Sequence, residues 1–332
     1  MICVENNFDN PCFNHGVEEY FLHNSQEDIF ILWINKPTIL IGRNQNAFAE
    51  INQHFVKKHN IEVVRRLSGG GAIYNDENII QFTFITKRNQ GSIKESFTTF
   101  VTPIIEALQS LGIDARFSGR NDIVINDKKV SGNAQYYTKD KILHHGSILF
   151  DGDLSVLSRA LNPRKIKFID KTVSSVRSRV ANIKEFLLEP MDVYEFKSYL
   201  ENYICKTYKI EDKYELTSDD IQAIKEIADN RYNSKEWNFG KNERYSIKHE
   251  VKFPDCGVIE YNLNIENNII TNLSLFGDYF SYKNIQSIEE LFIGINYDRE
   301  SIEKVLEPYD LSDYIKNLEK KDFISEMLSI AN

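Results

Sequence analysis

Three consecutive glycines, Gly69 to Gly71, follow a strand-like run and the pair Arg65-Arg66. They are a fifth of the 15 glycines in the chain. Without Cβ atoms, backbone N–H groups in such a loop can converge on an anion, and the arginines add charge that suits a phosphate or carboxylate. The spacing matches neither a Walker loop nor the G-x-G-x-x-G dinucleotide motif. The loop therefore predicts an anion site, with a flexible surface turn as the alternative.

Hydrophobic periodicity predicts mixed α and β structure. The predicted strands are Ile29–Ile34, Thr38–Ile41, Glu62–Arg65, Ile79–Thr86, Asp122–Ile125 and Gly146–Phe150. The predicted helices cover residues 13–23, residues 97–111, a segment capped by Thr217, a segment with a capping box at Ser287, and the C-terminus. Within residues 97–111, Pro103 predicts either that a new helix begins there, capped by Thr102, or that a single helix is kinked.

The length of 332 residues predicts more than one domain. From residue 257 to residue 275, apolar residues alternate with polar ones around a polar turn, which predicts a hairpin with one buried face. A polar segment at residues 238–244 precedes it. We therefore predict domains over residues 1–245 and 246–332.

Charge and cysteine content exclude several classes of protein. The net charge of −9 argues against nonspecific binding to nucleic acid or to an anionic membrane. The N-terminus has no signal-peptide pattern, and the longest apolar run, Ile29–Ile34, is too short to span a bilayer. Cys3, Cys12, Cys205 and Cys256 form no C-x-x-C pair, so neither a disulfide framework nor a zinc site is indicated. We expect a reduced, cytoplasmic protein with no nucleic-acid or membrane partner.

A second polar motif surrounds Lys129, in Lys128-Lys129-Val130-Ser131-Gly132-Asn133-Ala134-Gln135. A lysine placed by a turn can neutralise the charge that develops on a phosphate or carboxylate. The spacing alone favours the alternative, a solvated hairpin tip. Upstream, Asp122 in Gly119-Arg120-Asn121-Asp122 is a candidate for orienting a metal ion or an amine, or is a simple turn residue.

Two further features are the pair His144-His145 and a basic stretch. Adjacent residues of a strand point to opposite faces, so the histidines are a poor metal pair, and one of them is expected to line a pocket. Residues 159–184 hold eight basic residues and one acid, Asp170. A solvated face, a loop that closes on a phosphate and a docking surface for an acidic partner all fit that stretch.

Together these motifs resemble lipoate–protein ligases. The matching segments are Asn10-Pro11 with Phe13-Asn14 and Glu18-Glu19, Ile41-Gly42-Arg43-Asn44-Gln45-Asn46, the glycine motif, Lys129-Val130-Ser131-Gly132-Asn133-Ala134, His144-His145-Gly146 and Ser175-Val176-Arg177-Ser178-Arg179. Later, Trp237-Asn238-Phe239-Gly240-Lys241 and Phe276-Gly277-Asp278-Tyr279-Phe280 resemble the accessory domain of the long form. The similarity runs in order over nearly the whole chain, and the set of motifs is very specific.

The resemblance implies an α+β fold: a biotin-ligase-like catalytic domain of mixed sheets flanked by helices, with a small α/β accessory domain. It implies that lipoate and ATP give lipoyl-adenylate and pyrophosphate. The acyl group then passes to a lysine on a lipoyl domain of a 2-oxoacid dehydrogenase subunit or on glycine cleavage H protein. Mg²⁺ is the implied metal cofactor.

The resemblance also assigns roles to residues. Lys129 matches the essential lysine, whose ammonium can bridge the lipoyl carboxyl and the α-phosphate. The implied site residues are Arg66, Ser68, Gly69, Gly70 and Gly71 for the carboxyl and phosphate end, Ala72, Ile73, Tyr74 and Asn75 for the nucleotide, Asn121 and Asp122 for ribose or Mg²⁺-phosphate, and Val17, Trp33 and His145, with Arg66 and Lys129, for the lipoate pocket. Residues 161–180 match a loop that closes over the adenylate and excludes water.

Two departures from the family pattern and two rival functions remain open. Asn75 stands where the family commonly has histidine, and His15-Gly16 stands where a small apolar pair is common, so the acyl-chain preference is open. One rival is an octanoyl- or lipoyl-transferase of the same fold that works without ATP. A transfer cysteine would be expected near Lys129 or the glycine loop, and Cys12 alone lies near a pocket-lining segment. A non-catalytic protein that binds lipoyl domains is a third possibility.

Overall fold

The computed structural model describes residues 1–88, 93–161, 179–211, 213–240 and 245–329. Its strands are β1 (Ile2–Glu5), β2 (Ile29–Ile34), β3 (Thr38–Ile41), β4 (Glu62–Arg65), β5 (Ile73–Asn75), β6 (Ile79–Lys87), β7 (Ala115–Ser118), β8 (Asp122–Ile125), β9 (Lys128–Tyr137), β10 (Lys141–Leu149), β11 (Lys213–Glu215), β12 (Ile247–Phe253), β13 (Gly257–Glu266) and β14 (Ile269–Gly277). The α-helices are α1 (Pro11–Asn24), α2 (Ala47–Glu50), α3 (Gln53–Lys58), α4 (Ile93–Ser110), α5 (Leu154–Ala160), α6 (Val193–Tyr208), α7 (Ser218–Ile227), α8 (Lys235–Phe239), α9 (Gln286–Glu289), α10 (Arg299–Leu306) and α11 (Lys320–Ser329).

Within the described ranges, eight strands form the main sheet in the order β11-β1-β2-β6-β10-β9-β8-β7. β1 pairs in parallel with β11 and β2, and the other neighbours are antiparallel. A small sheet, β4-β3-β5, lies beside it and leads into the glycine loop. The expected α+β fold is confirmed.

Both faces of the main sheet are covered, which explains the unbroken apolar run of β2. Phe30 and Leu32 pack into the core beneath α4 and α6, whereas Ile31 and Trp33 pack into a second core with α1. Side chains alternate across a strand, so a strand buried on both faces is apolar at every position. Helix α1 thus lies against the face of the sheet that carries Trp33.

The C-terminal part is an antiparallel meander, β12-β13-β14, backed by α9 to α11 around its own apolar core. It also contacts the rest of the chain. The backbone N–H of Gly277 donates to the carbonyl of Asn44 at 2.8 Å, and Nη1 of Arg120 donates to the carbonyl of Cys256 at 2.8 Å. The C-terminal part therefore lies against the loop after β3 and the turn before β8.

Most predicted elements are confirmed, and three differ. Helix α4 is continuous, with Pro103 inside it. The helix predicted to start at Ser287 begins one residue earlier and lacks a side-chain cap, because Oγ of Ser287 bonds the carbonyl of Asn284 instead. The Lys129 motif is part of the ten-residue strand β9. The turn before it is formed by Asn126 and Asp127, both at positive φ.

In the described part of the chain, no helix combines the length and the hydrophobicity needed to cross a membrane.

Candidate active site

A cavity of about 330 Å³ lies where the glycine loop, strands β9 and β10, helix α1 and the loop after β14 meet. The predicted site residues that line it are Trp33, Arg66, Gly70, Gly71, Ala72, Ile73, Asn121, Asp122, Lys129 and His145. Residues distant in sequence thus converge on one space.

The other five predicted site residues do not line the cavity but lie behind its wall. Val17 is fully buried beside Trp33 in the core under α1. Ser68 binds two lining side chains, Arg66 and His145. Tyr74 is buried in the core of the small sheet, Asn75 accepts a hydrogen bond from Gln81 at 2.7 Å, and Gly69 lies against the backbone of Tyr279.

Arg66 holds the glycine loop in shape. Its Nη2 donates to the carbonyls of Gly69 (2.8 Å) and Gly71 (2.9 Å), and its Nη1 donates to the carbonyl of Leu40 at 3.1 Å. Burial lowers the pKa of this guanidinium to about 10, so it stays charged at neutral pH. Gly70 has a φ of +93°, which side-chain-bearing residues rarely adopt. The loop is therefore built around an internal cation.

Arg65 is predicted, like Arg66, to add positive charge to the anion site. Its side chain instead binds backbone carbonyls outside the cavity. Its Nη1 donates to the carbonyls of Gly42 and Gln45 at 2.9 and 2.7 Å, and its Nε donates to the carbonyl of Trp237 at 2.8 Å. The side chain is buried and fastens α8 to the loop after β3. It does not line the cavity.

Lys129 and Asp122 form an ion pair on neighbouring strands, with Nζ 2.7 Å from Oδ1. Both side chains are about one-third exposed, at 36% and 34%. A Cβ added to Gly132 would lie 2.7 Å from Nζ, so the lysine runs across the bare backbone of Gly132. Beside it, Nδ2 of Asn133 donates to the carbonyl of Asn121 at 3.0 Å. The ammonium thus lies in a polar corner of the cavity, beside Asp122 and Asn133.

A buried hydrogen-bond network joins α1 to the glycine loop. Oε1 of Glu18 lies 2.8 Å from Nδ1 of His145 and accepts from the hydroxyl of Thr83 at 2.6 Å. On the other side of the imidazole, Nε2 of His145 lies 2.5 Å from Oγ of Ser68. Oε2 of Glu18 lies 2.7 Å from Nδ1 of His15. The carboxylate therefore orients both histidines that line the cavity.

The net effect of this network on Glu18 favours the charged form. Burial by itself would raise the pKa of the carboxyl, but the adjacent His145 and His15 outweigh it and hold that pKa below its usual range. An ionised carboxylate only accepts, so each histidine donates from Nδ1. The hydroxyl of Ser68, which accepts from Nε of Arg66, can then donate to Nε2 of His145.

Sequence reasoning missed this role of Glu18 and two further wall residues. A single carboxylate within a helix has no local signature, although its spacing of three from His15 places both on one face. Asp278 and Phe280 line the cavity from the C-terminal part. A Cβ on Gly69 would lie 2.4 Å from the carbonyl oxygen of Tyr279. Only the tertiary structure brings these segments together.

The two adjacent histidines point to opposite faces of β10, as predicted. His145 faces α1, whereas His144 is buried on the other face and stacks on Phe100 at a centroid distance of 4.9 Å. Among the described residues, no cluster of three or more His, Cys, Asp or Glu side chains is arranged to hold a metal ion.

Residues 162–178, which contain most of the predicted closing loop (residues 161–180) and most of the basic stretch, lie outside the described residues. Of the flanking basic residues, Arg159 lies over the ring of Phe55 at 4.7 Å. Nζ of Lys184 lies 2.6 Å from Oδ2 of Asp151.

The cysteines do not favour the transferase rival. None of Cys3, Cys12, Cys205 and Cys256 lines the cavity. Sγ of Cys12 donates to the carbonyl of Tyr232 at 3.3 Å, and burial raises the pKa of this thiol to about 12. A thiol so far from ionisation is a poor nucleophile at neutral pH.

Sequence comparison matches two families. Residues 10–205 match the lipoyl protein ligase A/B catalytic domain, and residues 242–327 match the bacterial lipoate protein ligase C-terminus. The chain is 40% identical over 329 residues to the lipoate-protein ligase LplJ of Bacillus subtilis, covering 98% of this chain and 99% of that protein. It is 38% identical over 326 residues to lipoate–protein ligase 1 of Staphylococcus aureus, covering 97% and 98%.

Comparison with solved structures indicates the same family. The crystal structure of P. falciparum LipL1 in complex with lipoate has a TM-score of 0.80 at 27% identity, over 99% of this chain and 98% of that one. A lipoate-protein ligase A bound with ATP has a TM-score of 0.64 at 25% identity, over 72% and 98%. A bipartite Thermoplasma acidophilum ligase, described with its E2 lipoyl domain, has a TM-score of 0.65 at 27% identity, over 74% and 98%. The cavity thus belongs to an enzyme, and the chain is a member of the lipoate–protein ligase family.

Proposed function

We propose that this ligase joins lipoate to ATP in the cavity, releases pyrophosphate, and then passes the lipoyl group from lipoyl-adenylate to a lysine of a lipoyl domain. The observation that carries the proposal is the Lys129 ammonium, held across Gly132 in a cavity that the glycine loop also lines. The lipoate and the ATP in the similar structures support this choice of substrates.

Lys129 is the proposed catalytic residue. Attack of the lipoate carboxylate on the α-phosphorus of ATP forms the mixed anhydride and expels pyrophosphate, with negative charge on the oxygens between the two groups. An ammonium between those oxygens offsets that charge and holds the reactants together. In the second step, the acceptor lysine attacks the acyl carbon as a neutral amine, and AMP leaves.

The glycine loop is proposed to bind the carboxyl and phosphate end. Because the donors of Arg66 already bind loop carbonyls, its contribution is a fixed positive field and a fixed loop shape. Backbone N–H groups of Gly70 to Ile73 at the cavity wall are the proposed ligand contacts. Tyr74 and Asn75 hold that stretch from the core.

Mg²⁺ is proposed to enter with the nucleotide. Mg²⁺ in proteins is commonly held by one or two carboxylates together with substrate phosphates. Asp122 lines the cavity and is the candidate carboxylate, while its ion pair with Lys129 disfavours a resident metal. The residues therefore fit an ion that phosphate oxygens help to bind, and that ion would neutralise phosphate charge.

We also propose the division near residue 245 and a closing role for residues 161–180. The separate apolar core of β12 to α11 supports a second domain. Delivery of an acceptor lysine to the cavity requires an opening, which movement of the Asp278–Phe280 wall would supply.

The acceptor is proposed to be a lipoyl domain of a 2-oxoacid dehydrogenase subunit or glycine cleavage H protein, in line with the Thermoplasma pair. The test measures lipoate-dependent exchange of pyrophosphate into ATP, and then transfer to purified lipoyl domains of both classes. Exchange without any transfer would restrict the proposal to adenylate formation. Transfer without ATP would overturn it.

A further inference from the structure

His15, at the cavity wall, carries an unpartnered nitrogen. The residue lines the cavity and is 1% exposed. Its Nδ1 is held by Glu18, whereas its Nε2 is buried and has no hydrogen-bond partner among the described residues. A buried polar atom without a partner is costly, so the atom calls for an explanation.

The neighbours of His15 prevent its ring from turning away. The imidazole stacks on Tyr232 at a centroid distance of 5.5 Å and meets Trp33 edge-on at 5.2 Å. Gly16 lets α7 approach closely, since a Cβ there would lie 3.0 Å from the carbonyl oxygen of Ile224. The orientation of Nε2 is thus set by packing as well as by Glu18.

The protonation state of the ring makes Nε2 an acceptor. Glu18 is ionised and accepts from Nδ1–H. Burial lowers the pKa of His15 despite the adjacent Glu18, so the ring is neutral at neutral pH. A neutral imidazole that carries its proton on Nδ1 has a free lone pair on Nε2.

The position of His15 suits the far end of a bound acyl chain. Nζ of Lys129 lies at Gly132, and Gly132 is two residues from Ala134, the strand partner of His145. That step is about 7 Å along β9, and the ring of His15 lies a further 6.2 Å from that of His145. Lys129 and His15 thus line separate parts of one cavity, and His15 is the proposed contact for the tail of an acyl group whose carboxylate meets Lys129.

We infer that His15 is a specificity-determining residue that favours an acyl chain with a hydrogen-bond donor at its far end, namely the dithiol form of lipoate. The inference rests on the proposed function. The dithiol has S–H donors, whereas the cyclic disulfide and octanoate have none. Their binding leaves the Nε2 lone pair unsatisfied.

The expected preference is modest, because a net hydrogen bond changes affinity by roughly threefold to tenfold. Calorimetric titration of the full chain with dihydrolipoate (kept reduced without air), lipoate and octanoate measures it. All three carry the same carboxylate, so differences between them report on the tail. We expect the wild type to bind dihydrolipoate threefold to tenfold more tightly than octanoate.

Two variants and a control separate the role of Nε2 from a general effect on folding. His15→Leu removes the acceptor and should reduce the ratio of affinities to about one, with octanoate bound at least as well as by the wild type. His15→Gln can donate to Glu18 and accept from the ligand, so it should keep a preference. His23→Leu, an exposed change on the same helix, should leave the ratio unchanged.

Equal affinities of the wild type for dihydrolipoate and octanoate would overturn the inference, as would a ratio that His15→Leu leaves intact. Those results would leave the proposed ligase activity standing. If none of the three acids binds, the proposed function fails, and the inference fails with it.

Discussion

Nζ of Lys129 lies 2.7 Å from Oδ1 of Asp122, on two antiparallel strands that are joined by the turn at Asn126 and Asp127 and whose pairing shifts register after Ile123. The pair keeps the ammonium at the cavity before any substrate arrives. We expect Lys129→Ala to reduce adenylate formation by at least about a hundredfold, because it removes the cation that is proposed to offset the developing charge. Since both side chains are partly exposed, the free energy of unfolding should change by less than about 1 kcal/mol. Pyrophosphate exchange and thermal denaturation measure the two effects, and near-normal exchange would remove Lys129 from the mechanism.

Gly132→Ala tests the path of the lysine without touching the lysine. The new Cβ would lie 2.7 Å from Nζ of Lys129, the mobile end of a side chain, so the ammonium moves at little cost in stability. A displacement of this size can reduce turnover by about a hundredfold. We expect a low kcat for exchange with a thermal midpoint close to that of the wild type.

Gly146→Ala is the matched control for that change. It lies on the adjacent strand, where a Cβ would be 2.3 Å from Oδ1 of Asn133 and 2.5 Å from the buried ring of Phe82. Overpacking of this kind costs about 1–3 kcal/mol of folding free energy. The free energy of unfolding should therefore fall for Gly146→Ala and stay close to the wild-type value for Gly132→Ala. A larger loss for Gly132→Ala than for Gly146→Ala would contradict the path of Lys129 across Gly132.

Gly69→Ala tests the contact between the glycine loop and the C-terminal part. The added methyl would lie 2.4 Å from the carbonyl oxygen of Tyr279, a backbone atom that cannot move alone. We expect a lower thermal midpoint and a larger radius of gyration in solution scattering. Gly71→Ala meets nothing within 4 Å and serves as the control; equal scattering profiles for both variants would argue against this packing.

The free energy of unfolding should decrease in weak acid, because the folded chain disfavours protonation of His144. Burial, and then the nearby His145, hold the pKa of His144 well below 6.5 in the folded chain. Its two nitrogens are paired with Gln135 and Asn133 in the neutral form. The unfolded chain therefore binds the extra proton first, and stability is lost as the pH falls below about 6.5.

Thermal midpoints of the wild type and His144→Gln between pH 7.5 and pH 5 measure this loss. The variant should be less stable at pH 7.5 but show a shallower decline towards pH 5. His54→Gln, at an exposed position, should retain the slope of the wild type. Parallel curves for the wild type and His144→Gln would show that another group causes the acid sensitivity.

Cys12→Ser addresses the transferase rival. Serine can keep the hydrogen bond to the carbonyl of Tyr232 that Sγ donates at 3.3 Å, while removing the thiol. We expect ATP-dependent lipoylation to be unchanged and no acyl-enzyme to be detected by mass spectrometry in either form. Loss of transfer with intact pyrophosphate exchange would instead assign the thiol a role.

Sequence reasoning predicted the elements whose residues are buried in a simple pattern. Ile29–Ile34, Thr38–Ile41 and Glu62–Arg65 agree with β2, β3 and β4 residue by residue. Residue types alone indicate an anion site at the glycine loop, whereas Lys129 joins that site only through the resemblance to lipoate–protein ligases. The length of β9 was missed, since Ser131, Asn133 and Gln135 are polar yet buried, and such residues break the apolar alternation on which strand prediction depends.

The remaining parts of the site depend on contacts that no local pattern contains. The orientation of His145 comes from Glu18, on a helix packed across the sheet. Arg66 lines the cavity and Arg65 does not, because the two side chains bind different backbone carbonyls. A pair of adjacent arginines looks equivalent in sequence, and only the closed loop around them decides that one faces the cavity.

Phe280 and Asp278 complete the cavity from the C-terminal part, and this arrangement has a thermodynamic consequence. A ligand that touches both walls must strengthen their association by the same free energy by which that association strengthens its own binding. Occupancy and docking are therefore reciprocal. A bound adenylate that touches both walls would favour their association, so an acceptor domain that has to separate them would need to supply the required free energy from its own contacts.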